Sequence, residues 1–420
     1  MPIGRGAAKQ LRIKRNAVKG TRVTGGTGGQ IVRRNTSNFE LAKDTFTTEA
    51  EQTSSRQINY AGYGARMVNV SYSGIFSPGT QSDMLSALLM RDFTKTLAAD
   101  LTGLSLTIAG TGPTYTLTRG AGSWLTDGVK IGMGIRLTAA AHNVANKNRN
   151  LVVIGVTATV LTIVPANFSQ NKVAMVAEGP VAAGIVTFPG GRTFVPTSGH
   201  TDVDYTVEEW MSDMPRSQVN DSVKWTSATM RLPGSGPAGI DFSAMGLDQV
   251  KDPAGAGTAY FTAPAAETTT GALVAASGVL FVNGVAQSVV TDMTATLDGR
   301  GAIADPVVGT PIRPDVFTGK LAASGSFTAY DSTGTLRDFF LNESDISILM
   351  FMTAGAADNA DFVSMLFGQV KVNSASADDP ETGRKLTCAW AAQYNATGGV
   401  GLASDATTVV VQDSSLVGLP

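Results

Sequence analysis

Apolar and polar residues alternate from Val68 onward: Val68, Val70 and Tyr72 are apolar, while Asn69, Ser71 and Ser73 are polar. A period of two predicts a strand with one buried face. The spacing then changes to Leu85, Leu88 and Leu89, the i, i+3, i+4 stripe of a short helix packed by one side. The whole plan recurs. Residues 70–89, VSYSGIFSPGTQSDMLSALL, align without a gap to residues 321–340, LAASGSFTAYDSTGTLRDFF, at an offset of 251. Ser73, Gly74, Phe76 and Leu85 fall on Ser324, Gly325, Phe327 and Leu336, and the helical stripe falls on Leu336, Phe339 and Phe340. Thr80 and Asp331 stand where helix caps are needed, with Thr80 and Asp83 spaced as a capping box. The chain therefore reads as a duplicated, mainly β protein in which each copy carries one short helix, and the six apolar helix positions are expected to pack.

Between residues 103 and 186 the repeat is interrupted by short alternating runs, 106–109, 115–118, 134–138, 151–156 and 160–164, separated by Gly, Pro and Asn turns. Such spacing predicts a small inserted β-barrel. The first copy then comprises 39–102 and 187–247, the Ala/Gly/Pro/Thr-rich segment 248–270 is a connector, and 271–420 holds the second copy and a tail. In the first copy the helix is expected to continue through Met90 and Phe93 to about Leu97.

Charge alters the picture mainly at the start. Overall the 420 residues are 16% charged with a formal net charge of -2, which argues against a nucleic-acid binder that uses its whole surface. Residues 1–38, however, carry Arg5, Lys9, Arg12, Lys14, Arg15, Lys19, Arg22, Arg33 and Arg34 before the first acid, Glu40. They read as an extended basic arm, docking on a neighbouring subunit or ring in preference to nucleic acid, because no aromatic is interleaved before Phe39. The cluster Gly25, Gly26, Thr27, Gly28, Gly29 lacks the Lys-Ser/Thr ending of a phosphate loop and reads as linker. One cysteine, Cys388, allows no internal disulfide. No secretory leader and no long apolar run is visible, so no membrane partner is expected and synthesis in a reducing cytoplasm is. His142 and His200 are remote in sequence, and the Asp202–Asp204 and Asp358–Asp361 pairs lack metal-loop spacing. No nucleophile, dinucleotide or metal motif appears, so no enzyme, metal or cofactor is expected.

Four stretches together resemble the major tail tube proteins of long-tailed bacterial viruses with non-contractile tails: NFELAKDTFTTEAEQTSSRQ, the strand-to-helix stretch at 70–89, SWLTDGVKIGMGIRLTAAAHN with LVVIGVTATVLTIV, and GKLAASGSFTAYDSTGTLRDFFLNES. The resemblance covers most of the chain after residue 38. It implies two tandem tube domains of sandwich or barrel form, polymerisation into stacked rings in the virion tail, and transient passage of double-stranded DNA. Tape-measure, tail terminator and distal tail proteins are the partners it implies. Six tube domains usually share such a ring, so a duplicated chain implies rings of three with pseudo-sixfold symmetry. Four strands per domain would give a barrel roughly 48 Å across at about 4.8 Å spacing and about 40° tilt, wide enough for a duplex. Its lumen should be neutral or acidic, since each phosphate contact would be adhesive. Asn69, Ser71 and Ser73, and the alternating acidic face Asp202, Asp204, Thr206 and Glu208, are the expected lumen residues, with the basic arm set against acidic loops such as Asp378, Asp379 and Glu381. Two other readings are a virion-surface β-protein that holds a host glycan in its inserted domain, and a coat protein whose arm binds nucleic acid.

Overall fold

The computed structural model describes residues 5–47, 60–166, 174–287, 289–331, 334–378, 383–398 and 402–416. It is mainly β, with two short helices, Ser82–Leu88 and Thr335–Leu341. Among the described residues, no helix is long and apolar enough to cross a membrane.

Nine elements recur in the same chain order. The first set is Lys9–Arg15, Gly26–Val32, Thr36–Thr47, Ala61–Ile75, helix Ser82–Leu88, Tyr205–Met211, Arg216–Pro233, Gly239–Gly246 and Asp248–Lys251. The second is Val274–Val282, Val285–Gln287, Val290–Asp298, Ala322–Tyr330, helix Thr335–Leu341, Ile346–Thr353, Phe362–Asp378, Lys385–Gln393 and Val410–Asp413. Each set is built on its long strand, Arg216–Pro233 or Phe362–Asp378. The first half of that strand pairs with Tyr205–Met211 or Ile346–Thr353, the second half with Gly239–Gly246 or Lys385–Gln393. Two ladders thus diverge from one strand, and their apolar faces share one core containing Ile13, Val70, Tyr72 and Trp225 from the first set and Val282, Phe327, Phe367 and Trp390 from the second.

Pairing register corrects the gapless offset. Both long strands shift register at matching places, Trp225/Ser227 and Val372/Ser374, which equates them at a separation of 147 (374 − 227). Counting across the ladder then equates Tyr72 with Phe327, a separation of 255 (327 − 72). Gly74 corresponds to Ala329, not to Gly325. The helices start at Ser82 and Thr335, a separation of 253 (335 − 82), so the strand-to-helix connection is two residues shorter in the second set, 331–334 against 76–81. That shorter connection seats its helix less deeply. Leu85, Leu88 and Leu89 are buried, Leu336 and Phe339 are only partly buried against the core, and Phe340 is 38% exposed, contrary to the expectation that it packs.

Other expectations change for local reasons. The first helix ends at Leu88 and does not reach Leu97, because Met90 takes a left-handed φ of 54° that reverses the chain. Neither Thr80 nor Asp331 caps a helix: the cap positions are Gln81 and Gly334, without side-chain cap bonds. The first helix is instead anchored from the far end of the sequence. Asp413 accepts from Gly79 N at 2.6 Å and from Ser82 Oγ. Burial pushes the Asp413 carboxyl above its usual range against the pull of those bonds.

Nor is 5–38, the described part of the basic segment, a free arm. Leu11 and Ile13 alternate with Arg12 and Lys14, and Lys9–Arg15 inserts between Gly26–Val32 and Tyr205–Met211 as an integral strand. Segment 248–270 is similarly structured: Asp248–Lys251 extends the ladder of the long strand, and Phe261–Ala265 runs parallel to Gly26–Val32.

The insertion closes into a six-stranded barrel made of Leu101–Ala109, Tyr115–Arg119, Gly134–Leu137, Leu151–Val156, Val160–Pro165 and Glu178–Thr187. It has its own core, including Leu106, Leu117, Trp124, Ile135 and Ile163. Although it leaves from the first set, it sits on the second. Val152 and Val164 pack with Phe281, Leu349, Phe351, Phe362 and Leu366, with Phe351 stacked on Phe362 at 4.5 Å. Ser364 Oγ donates to Gly132 O at 2.6 Å, and Gln412 brackets Gly134 through both its backbone N–H and carbonyl.

Candidate functional site: a polar eight-stranded face

The second halves of the two long strands bring the sets together. Ser227–Pro233 pairs antiparallel with 292–298 of Val290–Asp298. The result is one eight-stranded run, in the order Thr36–Thr47, Ala61–Ile75, Gly239–Gly246, Arg216–Pro233, Val290–Asp298, Ala322–Tyr330, Lys385–Gln393, Phe362–Asp378. Because side chains alternate, one face of this run feeds the core and the other faces out.

The outward face is dominated by hydroxyls. Asn69 and Ser71 are exposed and Ser73 half-buried on it, beside Ser227, Thr229, Ser243, Thr294, Thr296, Ser324, Ser326, Thr328 and Thr387. Hydroxyls bridge neighbouring strands at Thr229–Thr296, 3.1 Å, Thr294–Ser326, 3.0 Å, and Thr328–Thr387, 3.3 Å. Such cross-strand pairs stabilise the sheet while leaving its surface uncharged. Glu40, Asp241, Asp292, Asp298 and Asp378 supply negative charge there. Among the described residues three cations share the face, and each is engaged: Arg231 with Asp241, Lys371 with Asp345 at 3.0 Å, and Lys385 over the Tyr330 ring at 5.4 Å.

The other expected lumen residues are elsewhere. Asp204, Thr206 and Glu208 are buried and Asp202 is partly covered, because the basic segment lies over them in the same chain. Lys19 binds Asp202 at 2.6 Å, Gly20 N donates to Asp204 at 3.0 Å, Val23 N donates to Thr206 Oγ1 at 3.0 Å, and Arg12 meets Glu208 at 3.3 Å. Glu208 also accepts from Ser217 Oγ and from the backbone N–H groups of Tyr260 and Phe261. Burial would raise the Asp202 carboxyl, but Lys19 and Lys224 outweigh it and hold it below the usual range. The two charge patterns noticed in the sequence therefore neutralise each other inside one subunit.

The remaining arm residues are also engaged internally. Lys9 pairs with Glu209, Arg15 with Asp83 and Asp92, and Arg22 with Asp221 at 3.7 Å. Lys14 donates to Thr27 O, Arg33 to Thr80 Oγ1, and Arg34 to Gly6 O, while the backbone of Arg5 donates to Asp213. No arm residue meets Asp378 among the described contacts, and Asp379 and Glu381 lie outside the described residues. Among the described residues, no group of three His, Cys, Asp or Glu could hold a metal. His142 Nδ1 instead lies 3.2 Å from Glu178.

These features define a mainly β chain with an open sheet, a hydroxyl-rich outward face and an inserted barrel. The chain matches the phage tail tube protein family over residues 6–399 and belongs to it. No curated protein matches the chain.

Proposed function

We propose that this tail tube protein forms rings of three chains, that the hydroxyl face lines the channel, and that double-stranded DNA passes along it into the host. The carrying observation is the unbroken run of eight strands across both sets, each set contributing four. Three copies supply the twenty-four strands of a barrel roughly 48 Å across, by the spacing and tilt of closed sheets. A face of hydroxyls and acids, with its cations already engaged, offers phosphates no free partner, so DNA slides without the counterion-releasing contacts that would hold it. Stacked rings then make the tube, with tape-measure, terminator and distal tail proteins as its neighbours. The inserted barrel, seated on the ladder that faces away from the hydroxyl surface, decorates the outer wall. Electron microscopy of the concentrated purified protein is the test. Tubes whose reconstruction has three chains per ring and pseudo-sixfold density are expected; six chains per ring, or no tubes, would overturn the reading.

A further inference from the structure

The eight-stranded run has two open ends. Thr36–Thr47 pairs only with Ala61–Ile75 among the described residues. At the opposite end, residues 371–378 pair on one side with Lys385–Gln393, and their other side has no partner among the described residues. Inside the chain the corresponding side is occupied. Residues 227–233 of the first long strand pair there with 292–298, the first outer strand of the second set. The chain thus contains one finished example of a junction whose other half is missing at each end.

The register of that example transfers residue by residue. The separation of 147 equates Ser227, Ala228, Thr229, Met230 and Arg231 with Ser374, Ala375, Ser376, Ala377 and Asp378. On the other strand, Tyr72 opposite Ser37 and Phe327 opposite Met293 equate Phe39 with Ala295 and Leu41 with Leu297. Resting on the ring reading above, we propose that residues 374–378 of one subunit pair antiparallel with residues 38–42 of a second copy. Ser374 then stands opposite Ala42, Ser376 opposite Glu40 and Asp378 opposite Asn38.

Volume at the core-facing positions supports this register. Internally, Ala228 faces Leu297 and Met230 faces Ala295, so each pair sets one small residue against one large. Between copies, Ala375 faces Leu41 and Ala377 faces Phe39. The first pair keeps its small–large order and the second reverses it, so both fill the same space as their internal counterparts. A slip by one residue would turn Phe39 and Leu41 against the polar face and is disfavoured. The chain's own strand Thr36–Thr47 lies at the far end of the run, so the contact is head-to-tail between copies, the kind that closes rings.

Cysteine pairs read the register directly. Ser376→Cys with Glu40→Cys, assembled under reducing conditions and then oxidised, should give disulfide-linked species ending at three chain lengths on a denaturing gel. The offset pair Ser374→Cys with Asn38→Cys should give none. Cys388 is fully buried and does not compete. Should the first pair fail to assemble, Ser374→Cys with Ala42→Cys replaces it, with the same expectation. Tubes visible by microscopy in which the offset pair links, or in which no matched pair links, would overturn the register while leaving the tube function intact. Absence of tubes from the unsubstituted chain would instead overturn the function.

Discussion

At the residue scale, the two sets solve one packing problem differently. A row across four strands reads Phe39, Val70, Ala244, Trp225 in the first set and Ala295, Gly325, Trp390, Val372 in the second. The tryptophan moves to the adjacent strand, and the residues beside it shrink to make room. A Cβ on Gly325 would sit 2.1 Å from Thr294 O and 2.5 Å from the Trp390 ring. Gly325→Ala is therefore expected to cost about 1–3 kcal/mol by overpacking, read as a lowered unfolding midpoint; an unchanged midpoint would contradict the row. This exchange also explains why sequence comparison paired Gly74 with Gly325. Total core volume is shared along the row, not fixed at each position, so identities between copies mislead about register where spatial neighbours do not. That Ser71 and Ser73 share the outward side of their strand was legible, because alternation alone decides which face a strand residue takes.

At the scale of elements, alternation identified strands well and charge identified surroundings badly. The runs at 106–109, 115–118, 151–156 and 160–164 fall in strands of the closed barrel, and 134–138 overruns its strand, Gly134–Leu137, by one residue. Lys9–Arg15 alternates just as plainly, Leu11 and Ile13 against Arg12 and Lys14, but its density of cations made it read as an arm. The missing information was the location of Glu208, Glu209 and Asp202, nearly two hundred residues away in sequence and adjacent in space. The barrel likewise returns to a distant partner. Its seat on the second set covers Phe281, Leu349, Phe351, Phe362 and Leu366, a patch that an exposed surface tolerates poorly. Replacing residues 103–186 by a short Gly-Ser linker should thus yield protein that aggregates and binds a hydrophobic dye. Monodisperse, dye-silent protein would show that the barrel is decoration and nothing more.

For the whole molecule, duplication and β class were legible because periodicity and repeats are local signals, whereas the joining of the sets depends on pairings between residues far apart. The most distant of these is the strand Val410–Asp413. It lies between Phe362–Asp378 and Gly191–Phe194, while Asp413 holds Gly79 and Ser82 at the start of the first helix. Translation makes these four residues after every element they hold, so the first set stays unfinished while the whole second set is synthesised. Such long-range closure folds slowly. It is also expected to act as a checkpoint: until Asp413 is made, the bonds that anchor the start of the first helix are missing, and a subunit left in that state should be excluded from a growing tube. A chain stopped after Val409 should accordingly leave 79–90 open to protease and fail to join tubes of full-length protein; its incorporation at the normal rate would show that admission is decided elsewhere.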